Sequence, residues 1–246
     1  MHVDVWLVEL ERDSASPRDA TDARSTSDAA ANDATLSADE RARAQRFASD
    51  ELRRRFIRGR VAVRDILSRY LDARAPDELR FAYNPYGRPR LLDGRGLGFN
   101  FTRSGPLALC AIARTREVGI DLEEVRGIPE AGSIVTRFFS VRERELLAKL
   151  DAPLDSASFN EAFYAGWTRK EAFIKALGLG LAQPLDSFSV SLLPRQRPRL
   201  LQVPNGSPRA WTLHAFRPAP GYTAALAIHA RPIHPRFFRW HPGQGS

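Results

Sequence analysis

The opening residues Val3-Asp4-Val5-Trp6-Leu7-Val8 read as a strand, apolar throughout except for Asp4. From Asp13 to Thr35 the pattern disappears into Ala, Asp, Ser, Thr and Arg, with no aromatic and no large aliphatic side chain. Such a stretch buries too little surface to offset its ordering entropy, so a disordered insertion is expected there. Ser37-Ala38-Asp39-Glu40 has the spacing of a capping box and predicts a helix to about Phe47. A second helix is expected from Asp50 to Tyr70, with Phe56, Ile57, Val61, Val63, Ile66 and Leu67 as its apolar stripe. Asn84-Pro-Tyr-Gly-Arg-Pro89 is a turn cluster. Phe99–Thr102, Leu107–Ala113 and Val118–Leu122 then read as strands.

The second half repeats this order. Ser140-Val-Arg-Glu143 is another capping box, opening a helix to Leu150, and a long helix should run from Ser158 to Leu177, closed by Gly178 and Gly180. Strands are expected at Ser187–Leu192, Trp211–Arg217 and Tyr222–Ala230, followed by a tail from about residue 231. Each half thus runs from strand through capped helix and long helix to further strands. We expect two pseudo-symmetric α/β lobes, 1–118 and 119–246, with a cleft between them where a ligand would lie.

Composition narrows the classes. The chain has 246 residues, 43% of them hydrophobic, which is enough for a sizeable core without metal or disulfide support. One cysteine and five histidines exclude a disulfide framework and argue against structural zinc. No apolar run reaches the ~20 residues of a spanning helix, and residues 1–10 lack the basic start of a signal peptide. A cytoplasmic protein is expected, with no membrane partner. The net charge of +8 favours a polyanionic or acidic partner. Residues 41–69 carry ten arginines against three acids, which by itself describes a solvated helix face. Lysine is confined to Lys149, Lys170 and Lys175; a coding bias toward arginine explains most of that, and the short stretch holding Lys170 and Lys175 is a candidate for a requirement only an ammonium meets.

The candidate chemistry lies in two segments. Gly119-Ile-Asp-Leu-Glu123 places Asp121 and Glu123 on one face of a strand. Trp167, Glu171 and Lys175 share a helix face at i, i+4 spacing. Asp121, Glu123 and Glu171 are oxygen donors of the kind Mg²⁺ takes, completed by water and substrate phosphate, and Lys175 is one turn from Glu171. Separately, each also fits a solvated strand edge or an ordinary helical ion pair.

Together, the segments 119–123 and Trp167-Thr-Arg-Lys-Glu-Ala-Phe-Ile-Lys-Ala-Leu-Gly-Leu-Gly-Leu181 resemble the 4′-phosphopantetheinyl transferases of the surfactin-synthetase-activating type. Tyr86-Gly-Arg-Pro89, Phe99-Asn-Phe-Thr-Arg-Ser104, Arg137-Phe-Phe-Ser140 with Glu143, Pro184-Leu-Asp-Ser-Phe188 and Pro220-Gly-Tyr222 follow in the same order, so the resemblance spans roughly 36–230. It implies an α+β fold of two similar lobes with coenzyme A between them. It also implies transfer of the phosphopantetheine arm to a serine of an acyl or peptidyl carrier protein, releasing 3′,5′-ADP, for nonribosomal peptide, polyketide or fatty-acid synthesis. By the same resemblance, Asp121, Glu123 and Glu171 match the metal ligands, Mg²⁺ or Mn²⁺. Glu171 also matches the general base, Lys175 the lysine on the coenzyme A phosphates, and Lys170 the motif lysine before it. Arg43 matches a basic residue for the 3′-phosphate. Arg55, the Tyr86–Gly87 backbone, Arg88, Pro89 and Thr102 match the nucleotide lining.

Two positions depart from the pattern. Arg103 stands in place of a phosphate-binding histidine, and Glu40 stands where a basic residue is common. The alternatives are a basic nucleic-acid-binding protein, disfavoured because no exposed aromatics interleave the arginines, and a scaffold that only binds carriers, disfavoured by the intact carboxylate set. With both lobes in one chain, a monomer is expected.

Overall fold

The computed structural model describes residues 1–11 and 34–243, apart from residues 73, 116, 151, 155, 194 and 231. The insertion expected at 13–35 lies outside the described residues except for its last two. The first half contributes β1 (His2–Glu9), α1 (Ala38–Gln45), α2 (Asp50–Ser68), β2 (Phe81–Tyr83), β3 (Pro89–Leu91), β4 (Gly98–Ser104) and β5 (Leu107–Ala113). The second contributes β6 (Val118–Glu124), α3 (Ala131–Phe138), α4 (Val141–Ala148), α5 (Ala157–Leu177), β7 (Ser189–Val190), β8 (Leu200–Gln202), β9 (Thr212–Phe216), β10 (Tyr222–Ile228) and β11 (His234–Arg239). The fold is α+β.

Two sheets, ordered β11-β1-β5-β4 and β6-β10-β9, form the middle of the molecule. Alternation along the strands decides what lies on each face. Val3, Val5, Leu109 and Ala111 of the first sheet share a buried core with Ile120, Leu122, Leu226 and Ile228 of the second. On its other face the first sheet packs Val8, Phe99 and Ile112 against Val63, Ile66 and Leu67 of α2. The second packs Ala225, Ala227 and Leu213 against Phe173, Ile174 and Ala176 of α5. The layers run helix, sheet, sheet, helix.

The edges β4 and β6 run side by side, stitched by side chains rather than by a backbone ladder. Asn100 Oδ1 accepts from the Ile120 amide at 2.9 Å and Ser104 Oγ from the Glu124 amide at 3.1 Å. This seam carries Gly119, Asp121 and Glu123 in alternation on the face toward α5.

Both capping boxes form, and each places its glutamate against a cation of the long helix that follows. Ser37 and Glu40 cap α1; Glu40 then meets Arg64 Nε at 2.8 Å, and Arg64 donates on to the carbonyls of Pro76 and Leu79. Ser140 and Glu143 cap α4; Glu143 meets Lys170 Nζ at 2.6 Å, and Lys170 donates on to the Phe188 carbonyl. One local device, used twice, ties a short helix, a long helix and the following loop together in each half.

Several expectations change in detail. The first two helices stop at Gln45 and Ser68, and the strand expected over 187–192 shortens to Ser189–Val190. Helix α3 was not legible, because Glu130 at its N-cap makes no side-chain capping bond. The segment read as a tail contains β11, which pairs in parallel with β1 in the sheet of the first half. Arg236 forks onto the buried Asp4 at 2.7 and 2.8 Å, and the Trp240 indole donates to Asp65 at 2.6 Å. Nothing local in His-Pro-Arg-Phe-Phe-Arg encodes that pairing.

Gly119 lets α5 lie directly on β6. A Cβ there would overlap the Ala172 carbonyl oxygen and the Ala176 amide nitrogen, both backbone atoms that cannot move aside singly. Gly119→Ala should therefore cost about 1–3 kcal/mol of stability, the usual scale of overpacking, and lower activity with it. Denaturant unfolding measures the first effect. A wild-type midpoint would mean that the helix is not seated as described.

Candidate active site

A cleft of about 890 Å³ opens between α1, α2, the β2–β3 hairpin and β4, and its inner end is formed by Thr102 and Lys175. Arg43, Arg46, Arg55, Arg60 and Arg103 line it, against Asp39, Glu40 and Asp77. Arg103 carries a lowered pKa because it is partly buried and faces Arg43 and Arg55. Guanidiniums gathered this way repel one another, and an anion between them relieves the repulsion. Arg55 is partly compensated already, by Glu11 and Glu51.

At the inner end, Lys175 of α5 crosses to the seam between the sheets. Its Nζ donates to Asp121 Oδ1 at 2.5 Å and to Thr102 Oγ1 at 3.0 Å, and the Thr102 hydroxyl lies 3.2 Å from the same carboxylate oxygen. Asp121 is buried, and its Oδ2 has no hydrogen-bond partner among the described residues. Ser104 Oγ donates to Glu123 Oε2 at 3.2 Å.

Burial first and Asp121 second push Glu123 up to about 7, against Ser104 and Lys175. Burial and Asp121 likewise raise Glu171, against Lys175, and burial raises Asp121 itself, against Lys175 and Thr102. Three carboxylates and one ammonium in a poorly solvated place leave an excess of negative charge. A proton or a metal cation relieves it.

The structure thus brings Asp121, Glu123, Glu171, Lys175 and Thr102 together, and puts Arg43, Arg55, Arg103, Gly87 and Pro89 on the cleft wall. It separates two other residues from the cleft. Lys170, expected at the cofactor, is fully buried and paired with Glu143, with its ammonium over the Phe188 ring. Arg88, expected on the nucleotide, instead turns its guanidinium to the carbonyls of Ala176 and Val118. Tyr86 is 53% exposed. Glu40 is no ligand-binding substitute for a basic residue: Arg60 and Arg64 hold it within the fold. Gly119, Asn100 and Ser104 had no assigned role in the sequence, although each stands inside a quoted segment. Their importance follows from the seam alone.

A basic cleft ending on a lysine and buried carboxylates defines an enzyme for a phosphorylated substrate. Residues 117–227 match the model of the 4′-phosphopantetheinyl transferase superfamily. The chain is 40% identical over 211 residues to the 4′-phosphopantetheinyl transferase HetI of Nostoc sp., covering 85% of this chain and 84% of the relative. It is 34% identical over 203 residues to the 4′-phosphopantetheinyl transferase Sfp of Bacillus subtilis, covering 82% and 84%. A solved holo-[acyl-carrier-protein] synthase of Thermotoga maritima is 26% identical at a TM-score of 0.35, covering 47% of this chain and 64% of that one. The chain belongs to the 4′-phosphopantetheinyl transferase superfamily. It is a transferase of the phosphopantetheine group, with coenzyme A as substrate and carrier proteins as acceptors. The nucleic-acid reading of the arginine helices finds no support in these relatives. Among the described residues no helix is long and apolar enough to cross a membrane.

Proposed function

We propose that the cleft binds coenzyme A with its 3′-phosphate at Arg103 and Arg43 and its pyrophosphate at Lys175, and that Glu171 activates the carrier serine. The observation that carries this reading is the contact of Lys175 with Asp121 and Thr102 at the inner end of the arginine-lined cleft.

The reaction forms a bond between the serine oxygen and the phosphorus that bears pantetheine, and breaks that phosphorus's bond to the bridging oxygen. 3′,5′-ADP leaves with the bridging electrons. Glu171 takes the serine proton; its raised proton affinity suits a carboxylate that must hold a proton during the transfer. Lys175 places an ammonium beside the developing charge of the leaving group. Arg103 offers a forked, permanently charged donor to a phosphate where an imidazole would lose its charge near neutral pH.

The donor set fits a hard divalent cation, Mg²⁺ before Mn²⁺. The unpartnered buried Oδ2 of Asp121, with Glu123 and Glu171 nearby, would hold it. Among the described residues no three such groups stand as a ready-made cage. Mg²⁺ needs none, because it keeps waters and takes substrate phosphate oxygens. When bound it supplies Lewis-acid stabilisation of the pyrophosphate oxygens. The cleft is walled by residues within 37–103 and by Lys175, so it lies within the first half rather than between the two expected lobes. It asks for no residue of a second copy, which supports a monomer, and the single buried Cys110 is in keeping with a cytoplasmic enzyme.

Mass spectrometry of a panel of apo-carriers, incubated with enzyme, coenzyme A and Mg²⁺, should show addition of one phosphopantetheine group. Chelation should abolish it. In the same assay Arg103→Ala should raise the KM for coenzyme A by about 10–100-fold, the loss of a charged hydrogen bond, and change that for dephospho-coenzyme A little. Metal-independent transfer would remove the cation from the reading. Equal weakening of both substrates would make Arg103 a structural residue.

A further inference from the structure

Lys175 belongs to the second half of the chain and Thr102 to the first, so their meeting depends on how the C-terminal end of α5 is held. The loop between β2 and β3, residues 84–88, holds it. Asn84 Oδ1 accepts from the Tyr86 and Arg88 amides at 3.0 and 2.8 Å, which shapes the loop, and Asn84 Nδ2 donates to the Gly178 carbonyl at 2.7 Å. Arg88 Nη1 donates to the Ala176 carbonyl at 2.5 Å, and Nη2 donates to the Val118 carbonyl at 3.0 Å.

Ala176 and Gly178 lie at the helix end, where carbonyls lack partners within the helix, and a cation there also answers the helix dipole. One guanidinium thereby joins α5 to the first residue of β6, two elements that carry Lys175 and Asp121 respectively. A lysine ammonium lacks the fixed fork that spans two acceptors. The helix end is shaped to receive it: Gly178 has φ of +73° and a Cβ there would come within 2.7 Å of Arg88 Cδ. Gly87 and Pro89, on either side of Arg88, line the cleft, while the arginine between them is spent on the helix.

We propose that Arg88, supported by Asn84, is a positioning residue for Lys175, fixing the end of α5 and the start of β6 to the first half so that the ammonium reaches Asp121 and Thr102. Its guanidinium does not bind coenzyme A. The inference rests on the reading of Lys175 as the pyrophosphate-binding lysine.

A double-mutant cycle on the full-length enzyme tests it, with kcat/KM for coenzyme A read from carrier modification and thermal melting recorded for each variant. Arg88→Met should lower kcat/KM by about 10–100-fold, the scale of a displaced catalytic group, while remaining folded at the assay temperature. Lys175→Met should lower it further. The double variant should fall no lower than Lys175→Met within about threefold, because a residue that acts only through Lys175 has nothing left to lose. Arg88→Lys should restore only part of the activity. Losses that multiply would mean that Arg88 contacts the substrate independently and would overturn the proposal, as would full activity in Arg88→Met. Should Arg88→Met fail to fold, Asn84→Ala enters the same cycle and must meet the same criterion. An unimpaired Lys175→Met would overturn the reading of Lys175 itself, and the positioning role with it.

Discussion

Asp121→Ala is expected to reduce carrier modification by at least ~10²-fold at saturating substrates, with Glu171→Gln falling as far and Glu123→Gln less. The ranking follows from position. Asp121 is buried, holds Lys175 at 2.5 Å, contacts Thr102, and keeps one oxygen without a partner for a cation. Removing it releases the lysine and, on the proposed reading, would release the cation as well. On the proposed reading of Glu171 as the base, Glu171→Gln preserves shape and hydrogen-bonding capacity but cannot take up the serine proton, so its loss should appear in kcat. Glu123 is held by Ser104 and is only partly buried, and water can replace one ligand oxygen around Mg²⁺. Steady-state rates across a Mg²⁺ titration separate these cases. Glu123→Gln should recover toward wild type at high Mg²⁺, whereas Glu171→Gln should not. Equal, unrecoverable loss at all three positions would contradict the division of roles, and an active Glu171→Gln would remove that residue as the base.

The second large effect lies in stability. Glu143→Gln should destabilise the enzyme by about 3–5 kcal/mol, the scale of breaking a buried ion pair from one side. Glu143 is fully buried and accepts from the Ser140 amide at 2.8 Å, the Val190 amide at 2.7 Å and Lys170 Nζ at 2.6 Å. The glutamine keeps some hydrogen bonding but leaves the Lys170 ammonium uncompensated among aromatic rings. Burial already lowers that lysine's pKa, and Glu143 opposes the shift. Replacing both partners, Glu143→Gln with Lys170→Met, should recover part of the loss, because no charge is left stranded and the glutamine carbonyl still accepts from a buried amide that Glu143 satisfies. Urea unfolding of the single and double variants decides it.

The equivalent pair in the first half has a pH signature. Burial raises the Glu40 carboxyl, but Arg60, the Ser37 amide and Arg64 together bring it below its ordinary value of 4.5. Its contribution is therefore complete above about 4.5 and is lost as pH falls through the lowered folded value, so Glu40→Gln should flatten the acid limb of the stability curve.

Short-range signals made much of this legible. Capping boxes announced α1 and α4 because Ser and Glu three residues apart satisfy helix-end amides whatever lies beyond. Alternation placed Asp121 and Glu123 on one strand face, and i, i+4 spacing placed Glu171 beside Lys175, because strand and helix periods are properties of the backbone. What those periods do not contain is direction across the molecule. Lys170 and Lys175 are five residues apart on one helix, which turns the first into the core against Glu143 and the second into the cleft against Asp121. Arg88 lies in a cleft-lining loop yet faces away from the cleft, because unpaired carbonyls at the end of α5 and the start of β6 offer it better partners. Strand β11 forms where no local preference predicts it, since its amides are satisfied by β1, more than two hundred residues earlier in the chain. The residue types in the site and the elements that bear them were written locally. Which of the basic residues serve the substrate and which serve the fold was decided by burial and by partners brought together only when the two sheets meet.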